Sequence, residues 1–125
     1  MKRIILCLLA FVLLVGMPIN YAEAADVWVA HWNYENVDIY VVDESIRGDE
    51  TNNGRYCKAY VKQVRDGQLL RTEEWTFSKW HTDFWRYQTN RMTRNTSAVI
   101  ARNGLFEHCM EKMNWPFDIR NGYYY

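Results

Sequence analysis

The side chains here that could do chemistry are few: three histidines (His31, His81, His108), three cysteines (Cys7, Cys57, Cys109) and several adjacent carboxylates. A protein zinc site draws its ligands from such residues at short spacings. No two of the histidines share one, and on a helix His108 and Cys109 would diverge. No metal site is expected. A Cys–His nucleophile needs a free thiol with a depressed pKa, which an exported protein disfavours. Glu73 and Glu74 are neighbours in a predicted strand and point to opposite faces, so they cannot act together on one substrate. Asp43-Glu44 and Asp49-Glu50 read as solvated loop charges. There is no Gly-rich phosphate loop, G-x-S-x-G or Walker pattern. The expectation is a protein that is not an enzyme and carries no cofactor. Asn95-Thr96-Ser97 matches a glycosylation acceptor, a motif of little weight beside a leader of bacterial type.

That expectation leans on compartment. Lys2 and Arg3 precede the apolar run Ile4–Val15, Gly16 and Pro18 break it, and Ala22-Glu23-Ala24 supplies small residues around a cleavage point. This is the anatomy of a secretory signal peptide over residues 1–24, and its apolar run of 12 residues is shorter than the roughly 20 of a spanning helix. Cys7 lies inside the apolar run and not at the cleavage point. Residues 25–125 then form a single small secreted domain, secreted or held in the periplasm or cell envelope, with no membrane span. Without Lys2, Arg3 and Glu23 the net charge is −1. Near-neutrality argues against nucleic acid or anionic membranes as electrostatic partners.

Two cysteines remain after cleavage. In an oxidising compartment an even pair reads first as a disulfide, here Cys57–Cys109. Closing so long a loop would contribute about 4 kcal/mol, a large share of the stability of a domain this small.

The stretch Tyr56–Phe77 organises the rest. Asp66-Gly67 between two alternating segments predicts a β-hairpin. A two-residue loop pairs Val64 with Leu69 and sets Lys62 opposite Arg71, a like-charge pair. A three-residue loop, with Gly67 left-handed as a bulge, pairs Val64 with Gln68, Lys58 with Glu74 and Tyr60 with Thr72. The second is expected. Its core face gathers Cys57, Ala59, Val61, Leu69, Trp75 and Phe77, with Arg71 and Glu73 as the charges.

Before this hairpin, Asp26–Trp32 and Val37–Val42 alternate as strands across the turn Asn33–Asn36. Asp43–Asn53 reads as a polar surface loop with Ile46 tucked onto the core. After it, Asp83–Thr89 predicts a fifth strand with Trp85 and Tyr87 on one face, and Asn90–Ser97 a long loop. Ala98–Ala101 reads equally as a strand or a helical turn. Gly104–Asn114 predicts the one helix, with Leu105, Phe106, Cys109, Met110 and Met113 on one stripe, Asn103 as N-cap and Pro116 beyond its end. Asp118–Tyr125 forms a terminal hairpin or frays. The predicted fold is α+β: a single antiparallel sheet of about five strands, one C-terminal helix packed on a face, and a strand-to-helix disulfide.

Aromatic content is high: 18 of the 101 residues after cleavage, including all six tryptophans. Large rings enlarge the core of a small domain, each burying about 150–250 Å². They also build exposed platforms for a protein or a sugar. Trp80, Trp85 and Tyr87 are the candidate binding residues; Trp75 reads as core.

The segment VDIYVVDESI (Val37–Ile46), with Asp43-x-Ser45-Ile46, the hairpin around Asp66-Gly67 and Cys109 on a late helix, resembles the surface-adhesin protein E-like proteins, a bacterial surface group, and their secreted relatives. The resemblance implies an antiparallel sheet with a packed helix and a role in binding, host matrix proteins included. The chain lacks the cleavage-point cysteine of a lipid-anchored adhesin, and no binding residue carries over. The functional expectation is an exported, non-enzymatic envelope or surface binding domain, adhesin-like, with a protein or glycan ligand. The alternative is a small secreted inhibitor or carbohydrate-binding module using an exposed aromatic cluster.

Overall fold

The computed structural model describes residues 26–93 and 95–125; the expected signal peptide lies outside them. Nine strands and one helix follow one another: β1 (Asp26–Trp32), β2 (Val37–Val42), β3 (Arg47–Thr51), β4 (Gly54–Arg65), β5 (Gln68–Trp80), β6 (Arg86–Thr89), β7 (Ser97–Ala98), α1 (Gly104–Met113), β8 (Ile119–Arg120) and β9 (Tyr123–Tyr124). Seven strands make one antiparallel sheet in the order β1-β2-β4-β5-β6-β7, with β3 also on β4; β8 and β9 form a second, two-stranded sheet. The structure therefore corrects the expected fold of about five strands in a single sheet: the protein is mostly β.

The missing strands have a physical reason. β4 is twelve residues long and offers one edge to two short strands in succession. Its far half pairs with β2, Asp38 opposite Val64 through Val41 opposite Val61, and its near half pairs with β3. Between them one turn of 3₁₀ helix, Asp43–Ser45, interrupts the ladder. The Ser45 hydroxyl accepts the Tyr60 amide at 2.9 Å and donates to the Val42 carbonyl at 2.6 Å. A backbone donor that the break would orphan is thereby satisfied. Ile46, as expected, packs on the core.

The central hairpin also departs from the expected register. Asp66 and Gly67 both have positive φ (51° and 76°), and Val64 faces Leu69 across this two-residue turn. Leu70 is then an extra residue in β5, so Gln63 faces Arg71 and Lys62 faces Thr72. The like-charge clash of the simple two-residue frame disappears through a bulge one step from the turn, not through a longer loop. Beyond the bulge the shift from the expected frame is two residues, so the faces there are unchanged; Leu69, expected on the core face, lies on the turn side of the bulge and is 37% exposed. Cys57, Ala59, Val61, Trp75 and Phe77 are buried on the core face.

α1 lies over that face. Asn103 Oδ1 accepts the Phe106 amide at 3.0 Å, and left-handed Asn114 (φ 57°) closes the C-terminus. Leu105, Phe106, Cys109 and Met110 are fully buried. Phe106 stands at the centre, with the rings of Tyr124, Trp85, Phe77 and Phe117 at 4.2, 5.3, 5.4 and 5.6 Å. The C-terminal residues form a hairpin about Asn121-Gly122, which carries Tyr124 into the core.

No disulfide joins Cys57 and Cys109: both are free thiols, each wholly buried. The expected covalent tether is thus a packing contact. In this position a cysteine behaves as a small hydrophobe with a weak S–H donor. The hydrogen bond with Cys57, followed by burial, pushes the Cys109 thiol up and keeps it protonated at neutral pH. What shields the two thiols is burial, not pairing.

The 3₁₀ turn is tied to α1 by charge. Asp43 accepts from Lys112 Nζ at 2.5 Å and lies 2.6 Å from His108 Nε2. The Lys112 bond first, then His108, holds its carboxyl below the usual range. A depressed native pKa contributes stability that is complete above the unfolded value of about 3.9 and fades as pH falls through the native one. Asp43→Asn is therefore expected to lower stability by about 1 kcal/mol at neutral pH. It should also flatten the loss of stability below pH 4, as read from urea midpoints across the acid range.

Candidate functional site

The three rings expected to form a platform part company. Trp85 is core, 1% exposed against Phe106 and Trp115. Trp80, at the end of β5 opposite Gly54, is 62% exposed. It lines a shallow cleft with Tyr56, Ser78 and Arg86. Tyr87 pairs with Phe77 and so points to the core face, away from Trp80. The three form no common platform: strand parity sends Trp80 to the face opposite Tyr87, and Trp85, on the same face as Tyr87, is covered by the core.

Tyr87 instead belongs to a cleft that the sequence reading missed. This cleft, of about 440 Å³, is lined by Trp32, Trp75, Tyr87 and Ile100, with His31, Asn33, Glu35 and Asn103 as its polar groups. Its size falls within the range of small-ligand sites. Trp75 stacks on Tyr87 with ring centroids 5.0 Å apart and meets Trp32 at 5.6 Å. Neighbouring strands lie about 4.8 Å apart, so in a flat sheet β1 and β5, three steps apart, would be separated by about 14 Å. The rings reach one another because the sheet curls, and residues from its two outer strands, β1 and β7, share one cleft.

Each wall has a local cause. Trp32 ends β1, whose bulge at Val29 shifts the register against β2. The turn Asn33–Asn36, with Asn36 at φ 54°, puts Asn33 and Glu35 at the rim. His31 is held by Asp38 at 3.0 Å. The Trp28 indole N–H, which donates to Asp38 at 3.1 Å, and then His31 keep the Asp38 carboxyl below the usual range. Ile100 is 71% exposed, an apolar side chain left at the mouth.

One polar atom stands out. Trp75 is 7% exposed, and its Nε1 is the one buried side-chain polar atom among the described residues with no hydrogen-bond partner. A buried donor without an acceptor costs about 1–3 kcal/mol, so its persistence calls for an explanation. The cleft can stack a flat apolar surface on its rings and offer carboxamide and carboxylate groups at the rim. Its titratable groups are Glu35 at the rim and His31, which is engaged with Asp38. Among the described residues no three His, Cys, Asp or Glu side chains converge as metal ligands, and no helix is long and apolar enough to cross a membrane.

Sequence reading placed Trp75 in the core, which its burial bears out, and missed that the ring also lines a cleft. The hint available was parity, since Trp75 and Tyr87 occupy the same face of adjacent strands. The approach of Trp32 depends on curl and had no local signature. Compared with protein-family models, curated proteins and solved structures, the chain matches none of them.

Proposed function

We propose that the protein is an exported, non-enzymatic binding domain of the bacterial envelope or surface, adhesin-like in role, whose ligand seat is the Trp32–Trp75–Tyr87 cleft. The observation that carries this reading is the cleft itself, of about 440 Å³, walled by the rings of Trp32, Trp75 and Tyr87 with Asn33 and Glu35 at its rim. The rings ask for an apolar face, and the rim groups ask for hydroxyls beside it. A sugar ring presents both, with hydroxyls for Asn33 and Glu35, so a glycan suits this chemistry better than a purely apolar ligand. The export part of the reading rests on the leader residues, and the adhesin-like part on the resemblance around Val37–Ile46.

The test is tryptophan fluorescence titrated with soluble oligosaccharides of differing linkage. A saturable change is expected from at least one, and Trp32→Ala should weaken it about 30-fold or more, the scale of an interfacial hot spot. Trp32 is only partly buried, so the variant is expected to fold. Absence of a saturable response across the series, or a Trp32→Ala protein that binds as well as wild type, defeats the proposal.

A further inference from the structure

At the other end of β5 the sheet does something costly. Arg55 and Lys79 are directly opposite each other on β4 and β5, so two cations share one face at one register position. Like charges facing across strands are destabilising. A third cation, Arg120 of the terminal hairpin, adds to the field at Lys79. The two arginines are well provided for: Arg55 pairs with Glu50 at 3.1 Å and lies over the Trp115 ring at 5.3 Å. Arg120 pairs with Asp118 at 3.2 Å and lies over Tyr125 at 5.2 Å. Lys79 is not. Its ammonium, on a half-buried residue, has no ion pair or hydrogen bond among the described residues. Asp83, the acid whose charge it feels, is paired with Arg86 at 3.4 Å.

Three adjoining clefts, of about 320, 200 and 280 Å³, all have Lys79 in their walls. We infer that Lys79, with Arg55 and Arg120 beside it, forms a binding site for a phosphate or sulfate group, separate from the aromatic cleft. Guanidinium groups held over aromatic rings are pre-organised to meet a tetrahedral oxyanion, and the ammonium adds a point charge with three donors. Burial first, then Arg55 and Arg120, lowers the Lys79 pKa, the same crowding of positive charge that an anion would relieve. The near-zero net charge of the chain does not oppose this, because the field that matters is local.

The experiment is thermal unfolding of the full mature chain at millimolar inorganic phosphate or sulfate, with sodium chloride holding the ionic strength. The expected result is a saturable rise in midpoint for wild type, since a ligand that binds only the native state stabilises it. Lys79→Gln should weaken the anion affinity about tenfold or more, the scale of one charge-assisted hydrogen bond, while being at least as stable as wild type in chloride alone. Lys79→Arg should keep the response. A general salting effect of sulfate would act on all three proteins equally. If wild type shows no saturable rise, or if Lys79→Gln responds as wild type does, the site is an adventitious ion site only and the inference is overturned. Neither outcome touches the aromatic cleft.

Discussion

Phe106→Ala is expected to be the most damaging single truncation in the core, removing about 3–5 kcal/mol of stability. The side chain is 0% exposed, and four other rings lie within 5.6 Å of it, drawn from β5, from the residue before β6, and from the C-terminal segment. Replacing a buried Phe by Ala costs about 3–5 kcal/mol, because the lost transfer free energy is joined by the cavity left behind. Here the cavity is difficult to collapse, since the surrounding groups are themselves large planar rings fixed by separate elements. The native state of a domain this size is stable by only about 5–15 kcal/mol. The covalent tether anticipated between Cys57 and Cys109 is absent, so nothing of that kind offsets the loss. Urea unfolding followed by near-ultraviolet circular dichroism measures it directly. A midpoint within experimental error of wild type would mean that the ring cluster is not the centre of the core. Phe77→Ala, one neighbour away, should cost less if its cavity is shared with the smaller side chains of Cys57 and Cys109.

Much of this fold was legible because local signals and tertiary packing agree. The first two strands fall at Asp26–Trp32 and Val37–Val42 as their alternation predicts, and the helix begins and ends at its asparagine caps. Asp66-Gly67 marked the central turn, and of the two outcomes left open for Asp118–Tyr125 the hairpin forms, turning at Asn121-Gly122; each turn has two positive φ angles. What escaped prediction depends on neighbours distant in sequence. Arg47–Thr51 has no alternation to read, because it is an edge strand with exposed side chains. It forms because β4 has an unused edge, and Gly48 permits the close approach: a Cβ there would lie 2.2 Å from the Tyr56 carbonyl oxygen. The bulge at Leu70 is equally non-local, set by which charges would otherwise face each other. The candidate site suffers most from this. Trp85 and Tyr87 share a face in sequence, yet the curl of the sheet and α1 cover one and leave the other lining an open cleft.

Gly104→Ala should destabilise the protein, against the usual direction of that substitution in a helix. Alanine is favoured over glycine in a helix interior by about 1 kcal/mol, and fixing fewer unfolded conformations helps it further. Gly104 opens α1, however, and an added Cβ would lie 2.2 Å from the carbonyl oxygen of Val29. Val29 is the extra residue of the β1 bulge, so the sheet edge and the helix start meet backbone to backbone at this point. Neither side can yield by changing a rotamer. Overpacking of this kind costs about 1–3 kcal/mol, and the absence of a side chain to displace places the expected net loss near 2 kcal/mol. For a domain of about 100 residues that lowers the thermal midpoint by roughly 8–16 °C. The same displacement would pull the Trp32 end of β1 away from Trp75, because Val29 and Trp32 ride on one strand. Gly104→Ala should therefore change the tryptophan emission of the folded protein at temperatures well below its midpoint, whereas Asp43→Asn, remote from that cleft, should not. A Gly104→Ala protein as stable as wild type would show that helix and strand are not in backbone contact, and with it the wall that β1 gives to the aromatic cleft would be lost.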